Sequence, residues 1–216
     1  ELQGRKVVIT AGPTREAIDP VRYISNHSSG KQGYALAESA IEAGAKVVLV
    51  TGPTHLANPD RVEVIDVESA CDMLDAVMAE IDDADIFIGV AAVSDFRPLN
   101  SSEQKIKKQG DNDLTLQLVQ NPDILQTVAM SKDRPFTVGF AAETEAVVEN
   151  ARKKLAKKKL DMIIANNVAD RAIGFNSDDN ETIVITNQSE ESLPKMSKTV
   201  LSKKLVSIIA NALEPG

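Results

Sequence analysis

Ser28, Ser29, Gly30, Lys31, Gln32 and Gly33 form the stretch best suited to hold a negative charge. Amides at a helix start, the helix dipole and a nearby Lys make a local anion site, and the glycines let a ligand approach the backbone. The same residues also describe an ordinary helix start with Ser28 or Ser29 as N-cap. Two glycines and a lysine beside the cap favour phosphate. Small and polar residues cluster again at 11–15, 51–54, 91–95, 139–144 and 165–167, each time after an apolar run. Such clusters suit a pocket in which backbone amides meet a ligand.

Familiar nucleotide motifs fail on these residues. A P-loop needs Gly where Ser25 stands and Ser or Thr where Gln32 stands. A dinucleotide fingerprint would follow the first strand directly, and an acid would end the second; that strand instead ends Val50, Thr51, Gly52. A Tyr-x-x-x-Lys pair is absent, since His27 follows Tyr23 and Glu38 follows Tyr34. Lys195-Met-Ser-Lys198 imitates an aminoacyl-tRNA synthetase signature, but the only histidines are His27 and His55 and the tetrapeptide stands where an amphipathic helix would start. Two histidines and one cysteine make a zinc site improbable. Cys71 reads as an inert helix residue, and a lone cysteine builds no internal disulfide framework and suits a reducing, cytoplasmic compartment.

The 216 residues suffice for one α/β domain with a full core. A formal charge of −8 argues against a duplex-DNA or membrane-surface binder, so no nucleic acid and no membrane partner is expected. No apolar run approaches the roughly 20 residues of a membrane span. Residues 1–5 read as a linker stub leading straight into a strand, as in an excised domain.

The positioning elements follow from hydrophobic pattern. Strands are expected at 7–10, 46–51, 62–67, 85–92, 136–142 and 161–165, with a late, antiparallel one at 181–187. Helices are expected at 34–43, 69–81, about 145–159 and about 197–212. A polar loop is expected over 12–29 and a mobile flap over about 100–112. This alternation predicts a Rossmann-like doubly wound α/β fold, a mostly parallel sheet with a late antiparallel strand, in a single domain over 1–216. Ligands then belong beyond the carboxyl ends of the strands.

The loop residues carry a resemblance. The run 11–33 (Ala-Gly-Pro-Thr-Arg-Glu-Ala-Ile-Asp-Pro-Val-Arg-Tyr-Ile-Ser-Asn-His-Ser-Ser-Gly-Lys-Gln-Gly) is similar to the start of phosphopantothenate–cysteine ligases. So are Ala-Ala-Val-Ser-Asp-Phe-Arg at 91–97, Lys-Ile-Lys-Lys at 105–108, Asn-Pro-Asp-Ile-Leu at 121–125, Gly-Phe-Ala-Ala-Glu-Thr at 139–144 and Gly-Phe-Asn-Ser-Asp-Asp-Asn at 174–180. These pieces occur in the family's order over about 4–213.

The resemblance implies a homodimeric, Rossmann-like enzyme of coenzyme A biosynthesis. In bacteria it is usually fused to, or paired with, a flavin-dependent phosphopantothenoylcysteine decarboxylase, with no flavin in the ligase domain itself. It implies attack of the 4'-phosphopantothenate carboxylate on CTP, assisted by Mg²⁺, and then attack of cysteine on the acyl-cytidylate. Residues 105–108 and 121–124 resemble the CTP-dependent bacterial type. Carried over by position, the nucleotide pocket comprises Gly89, Val90, Ala91, Asp95, Lys105, Pro122, Asp123, Ile124, Leu125, Phe140, Lys154 and Lys158, with Lys157 an alternative to its neighbours. The expected phosphate and substrate contacts are Gly12, Arg22, Ser28, Ser29 and Gly30, and the catalytic pair is Asn26 and Lys105. Asp95 is expected to hold ribose hydroxyls or a metal-bound water, and the backbone at 89–91 with the turn at 121–122 is expected to read the base. Charge developing at phosphorus requires local cations, which the flap lysines Lys105, Lys107 and Lys108 would supply. A nicotinamide-dependent oxidoreductase and a non-catalytic nucleotide-binding domain remain the alternatives at this point.

Overall fold

The computed structural model describes residues 1–111, 113–167 and 179–213. Its centre is β1 (Lys6–Ala11), a β-branched run with five consecutive buried positions, which is the pattern of a strand covered on both faces. It pairs in parallel with β4 (Lys46–Thr51) and β6 (Ile86–Gly89). β5 (Glu63–Asp66) continues beyond β4, and β9 (Phe136–Glu143) and β10 (Met162–Asn167) continue beyond β6. β11 (Asp179–Thr186) and β12 (Glu190–Ser197) close the sheet as an antiparallel hairpin on β10. The eight-stranded order is β12-β11-β10-β9-β6-β1-β4-β5. Its parallel part, numbered along the chain, reads 3-2-1-4-5-6, so the order reverses between β1 and β6. A crevice opens at the carboxyl ends of the strands where this reversal occurs.

Helices cover both faces. α1 (Lys31–Glu42) and α5 (Lys198–Leu213) share one core with Val7, Ile9, Leu36, Leu201 and Leu205. α2 (Ala70–Glu80) and α3 (Ile124–Ala129) pack on the other around Val8, Met73, Phe87 and Val128. α4 (Val147–Lys158) adds Ala151 and Leu155 over Ile163. Fully burying side chains such as Phe87 or Leu36 stabilises the fold by roughly 1.5–3 kcal/mol each.

Several expectations change. The region 12–29 is not a plain loop: it contains an antiparallel hairpin, β2 (Glu16–Asp19) and β3 (Arg22–Ile24). A second small pair, β7 (Phe96–Pro98) and β8 (Leu118–Gln120), brackets the expected flap. The fourth strand stops at Gly89 rather than 92, because the Val90 and Ala91 amides turn to the Thr10 hydroxyl (3.2 and 3.3 Å). The N-cap position of α1 is Gly30, at φ 80° and with no side-chain cap bond of its own, while the Ser28 and Ser29 hydroxyls accept the Gly30 and Lys31 amides (3.3 and 3.5 Å). The expected linker stub is anchored: Leu2 is buried, its amide bonds Ala43, and Arg5 pairs with Asp85.

Candidate active site

Two adjoining cavities occupy the reversal point. The first, about 370 Å³, lies on the α1 and α5 side and is lined by Gly12, residues 28–33, residues 90–93, Asp95, residues 140–142, Asn166 and Lys198. The second, about 560 Å³, lies on the α3 and α4 side, where Thr10, Asp95, Asn121, Asp123, Lys157 and Lys158 are among its walls. Ala91, Val93, Asp95 and Phe140 belong to both linings, so the segment after β6 forms the partition.

Small residues make up much of the first cavity's lining. Gly12 and Gly30 have φ 73° and 80°, and a Cβ on Gly30 would lie 3.5 Å from Gly12 Cα and 2.8 Å from Thr54 Cγ2. A left-handed conformation and this close approach both select glycine. The Ala92 carbonyl accepts the Asn26 carboxamide N–H (2.5 Å), and Asn26 Oδ1 accepts the Ser28 amide (3.0 Å). Asn26 thus ties the loop before α1 to the partition while one Nδ2 hydrogen remains for another acceptor. Lys198, the first residue of α5, is 7% exposed at this wall.

The second cavity is walled by side chains. Asp123 caps α3 by accepting the Gln126 amide at 3.0 Å, and its carboxylate also pairs with Lys158 at 2.8 Å. Glu16, 2% exposed, accepts both the Ala70 amide (3.0 Å) and Asn121 Nδ2 (2.7 Å). Asn121 Nδ2 also donates to the Ser94 carbonyl, its Oδ1 accepts from Arg97, and its amide donates to the Asp95 carbonyl (2.8 Å). A buried carboxylate is tolerable only with such donors.

The structure brings together most of the expected residues. Gly12, Ser28, Ser29, Gly30 and Val90 line the first cavity. Gly89, Pro122, Asp123, Ile124, Leu125 and Lys158 line the second, while Ala91, Asp95 and Phe140 line both. Four expected residues line neither cavity. Asn26 is exposed and reaches the partition only through its bond to the Ala92 carbonyl. Lys154 pairs with Glu143 (2.6 Å) outside either lining, and Lys157 and Lys158 face the second cavity instead. Arg22 lines neither of these two cavities: it forks onto Asp19 and the Ile106 carbonyl (2.7 Å). Lys105 is exposed and lines neither cavity. In the stretch 89–91, expected to read the base, the Val90 and Ala91 amides donate to the Thr10 hydroxyl. The stretch 174–178 of the motif at 174–180 lies outside the described residues.

Sequence reasoning missed Thr10, Glu16 and Lys198. Only for Lys198 was there a signal, in the Lys195-Met-Ser-Lys198 match. That match places a lysine at the pocket wall through helix geometry, without the synthetase fold.

Comparison with known proteins decides the family. Residues 2–213 match the DNA/pantothenate metabolism flavoprotein C-terminal domain family. This chain belongs to that family. It is 56% identical over 207 residues to the coenzyme A biosynthesis bifunctional protein CoaBC of Vibrio vulnificus, covering 95% of this chain and 52% of that protein. The chain therefore spans about half the length of the curated relatives it matches. The crystal structure of a CoaBC C-terminal domain superposes with a TM-score of 0.84 at 40% identity, covering 98% of this chain and 97% of that one. The Cab2 H337A variant in complex with phosphopantothenate-cysteine has a TM-score of 0.79 at 16% identity, covering 97% and 86%, which shows a shared fold alone. Among the described residues no helix is long and apolar enough to cross a membrane.

Proposed function

We propose that this chain is a ligase joining 4'-phosphopantothenate to L-cysteine with CTP in coenzyme A biosynthesis. The observation that carries the reading is the pair of adjoining cavities sharing one wall, in a chain of this family. The first has the helix start, the small residues and the buried Lys198 suited to an anionic acid substrate. The second has Lys157, Lys158 and Asp95 among its walls, a composition suited to a ribose and a triphosphate.

In the first step a carboxylate oxygen of phosphopantothenate attacks the α-phosphorus of CTP. The bond to the β-phosphate oxygen breaks, and pyrophosphate leaves. In the second, the cysteine amine attacks the acyl carbon, CMP departs with the bonding pair, and the amine loses its proton. Asn26 stands at the partition, with an N–H available for the acyl oxygen as negative charge develops there. Phe140, in both linings, is placed to shield the acyl-cytidylate from water. Mg²⁺ would arrive with the triphosphate and neutralise it. Asp95 and Asp123 suit a hydrated Mg²⁺, which takes one or two carboxylates along with substrate phosphates. Selection of cytosine would fall to backbone carbonyls and the Thr10 hydroxyl, since the nearby amides and the Asn121 carboxamide are engaged.

The same reading makes the protein a cytoplasmic homodimer, working with a flavin-dependent decarboxylase in the manner of its bifunctional relatives. Pyrophosphate release with phosphopantothenate, cysteine and each nucleoside triphosphate in turn tests it. CTP should give the highest kcat/KM, and a much higher value with ATP would overturn the nucleotide assignment.

A further inference from the structure

The turn of the β2–β3 hairpin, Asp19-Pro20-Val21-Arg22, holds more than itself. Asp19 has a fully buried side chain. Its Oδ1 accepts the Val21 and Arg22 amides, both at 2.9 Å, which closes the turn. Its Oδ2 accepts Arg22 Nε (3.0 Å), Arg22 Nη2 and the Ile106 amide (3.1 Å). Arg22 Nη2 then donates to the Ile106 carbonyl at 2.7 Å. Both backbone groups of Ile106 are therefore held by one ion pair. The Ser102 amide adds a bond to the Ile18 carbonyl at 2.9 Å. Lys105 and Lys107 flank the pinned residue and remain exposed. At its other end the hairpin carries Glu16, which holds the Asn121 turn of the second cavity.

We propose that Asp19 and Arg22 are positioning residues that latch the Lys105-bearing segment to the element bracing the nucleotide cavity. The proposal rests on the reading of Lys105 as a triphosphate ligand. Three bonds fix 102–106, so a lysine beside Ile106 is presented from a set place instead of searching from a free loop. Ordering it beforehand removes part of the entropy that nucleotide binding would otherwise cost. Arg22, donating chiefly to Asp19, holds that carboxyl well below the usual carboxylate range, so the latch stays ionised at neutral pH.

Asp19→Asn separates turn from latch. The amide oxygen still closes the turn, while the Nδ2 donor faces two further donors, the Arg22 guanidinium and the Ile106 N–H. Trypsin cleavage after Lys105 in the ligand-free protein should accelerate by roughly tenfold or more as the segment is released. Single-turnover pyrophosphate release should slow by roughly tenfold. The double variant Asp19→Asn/Lys105→Gln should be no slower than Lys105→Gln alone, because both changes remove the same lysine from its place. Unchanged cleavage, or rate losses that multiply, would overturn the latch. Normal pyrophosphate release by Lys105→Gln would sink the lysine assignment instead, and the cleavage rate would then judge the latch by itself. If Asp19→Asn does not fold, Arg22→Lys serves in the same assays, since a point charge cannot span Asp19 and Ile106 as the guanidinium fork does. Parent-like cleavage and release in that variant would equally refute the proposal.

Discussion

Part of the first cavity is closed by backbone: Gly12 against Gly30, the start of α1, and the segment at Ala92. The second is lined by side chains from separate stretches, held by two separate contacts: Asn121 on the buried Glu16 behind it, and Lys158 on Asp123. Backbone walls depend on a few residues adjacent in sequence and tolerate little change in them. Side-chain walls are assembled by tertiary contact, and their ion pairs can exchange one partner for a ligand. The first should therefore break sharply under substitution, and the second should degrade in steps.

The largest expected effect is at the partition. Asn26→Asp replaces a donor by an acceptor that faces the Ala92 carbonyl and repels the developing oxyanion. The second step should lose roughly 3–4 kcal/mol, or about 10²–10³ in rate, while the first suffers less. Quenched-flow mass analysis should show a burst of pyrophosphate and accumulated acyl-cytidylate. Amide formation at the parent rate would remove Asn26 from the mechanism.

Gly30→Ala comes next. Its φ of 80° and the Thr54 methyl at 2.8 Å leave no room for a Cβ. The combined cost should be roughly 2–4 kcal/mol of stability, read from chemical denaturation. A parent-like midpoint would show the wall to be pliable.

The second cavity should respond more gently. Lys158→Gln should raise the nucleotide KM roughly tenfold, about 1.4 kcal/mol. Lys154→Gln, outside the lining and partly exposed beside Glu143, should change it by roughly twofold or less. Reversed sensitivities would restore Lys154 to the pocket.

The smallest effect is with pH. Asp19, held below its ordinary value of 3.8 first by Arg22, and Asp72, held down by Ser69 across its capping box, are depressed in the folded state. Their stabilisation is fully present above the unfolded value and is lost as pH falls through the folded ones. Melting temperature should be insensitive to these groups above about pH 5 and should decline only in acid. A decline beginning near neutrality would point to other groups.

What the sequence made legible follows the same division. β1, β4 and the helix after Ser69 are continuous apolar or capped periodic segments, and their positions were readable within a few residues. The first cavity was legible because its glycines and serines are contiguous. The β2–β3 hairpin was not, because 12–29 lacks apolar alternation, although Asp19-Pro20 is a turn signal. β12 buries only Leu193 through most of its length and shows no apolar face. α3 has six residues, fewer than two turns, so its pattern repeats too little to show helical periodicity. The Glu16–Asn121 contact joins distant segments and has no local signature. Arg22 read as an anion contact because an arginine close in sequence to a Ser- and Gly-rich helix start gives no hint that a buried aspartate already holds it.

The central claim is that two adjoining cavities act in sequence through an acyl-cytidylate. Its most direct test is a single turnover with phosphopantothenate, CTP and Mg²⁺ and no cysteine. A burst of pyrophosphate stoichiometric with enzyme is expected, with a bound species of the mass of phosphopantothenoyl-cytidylate that cysteine converts to product. Release of CDP and phosphate, or no nucleotide cleavage until cysteine is added, would contradict it.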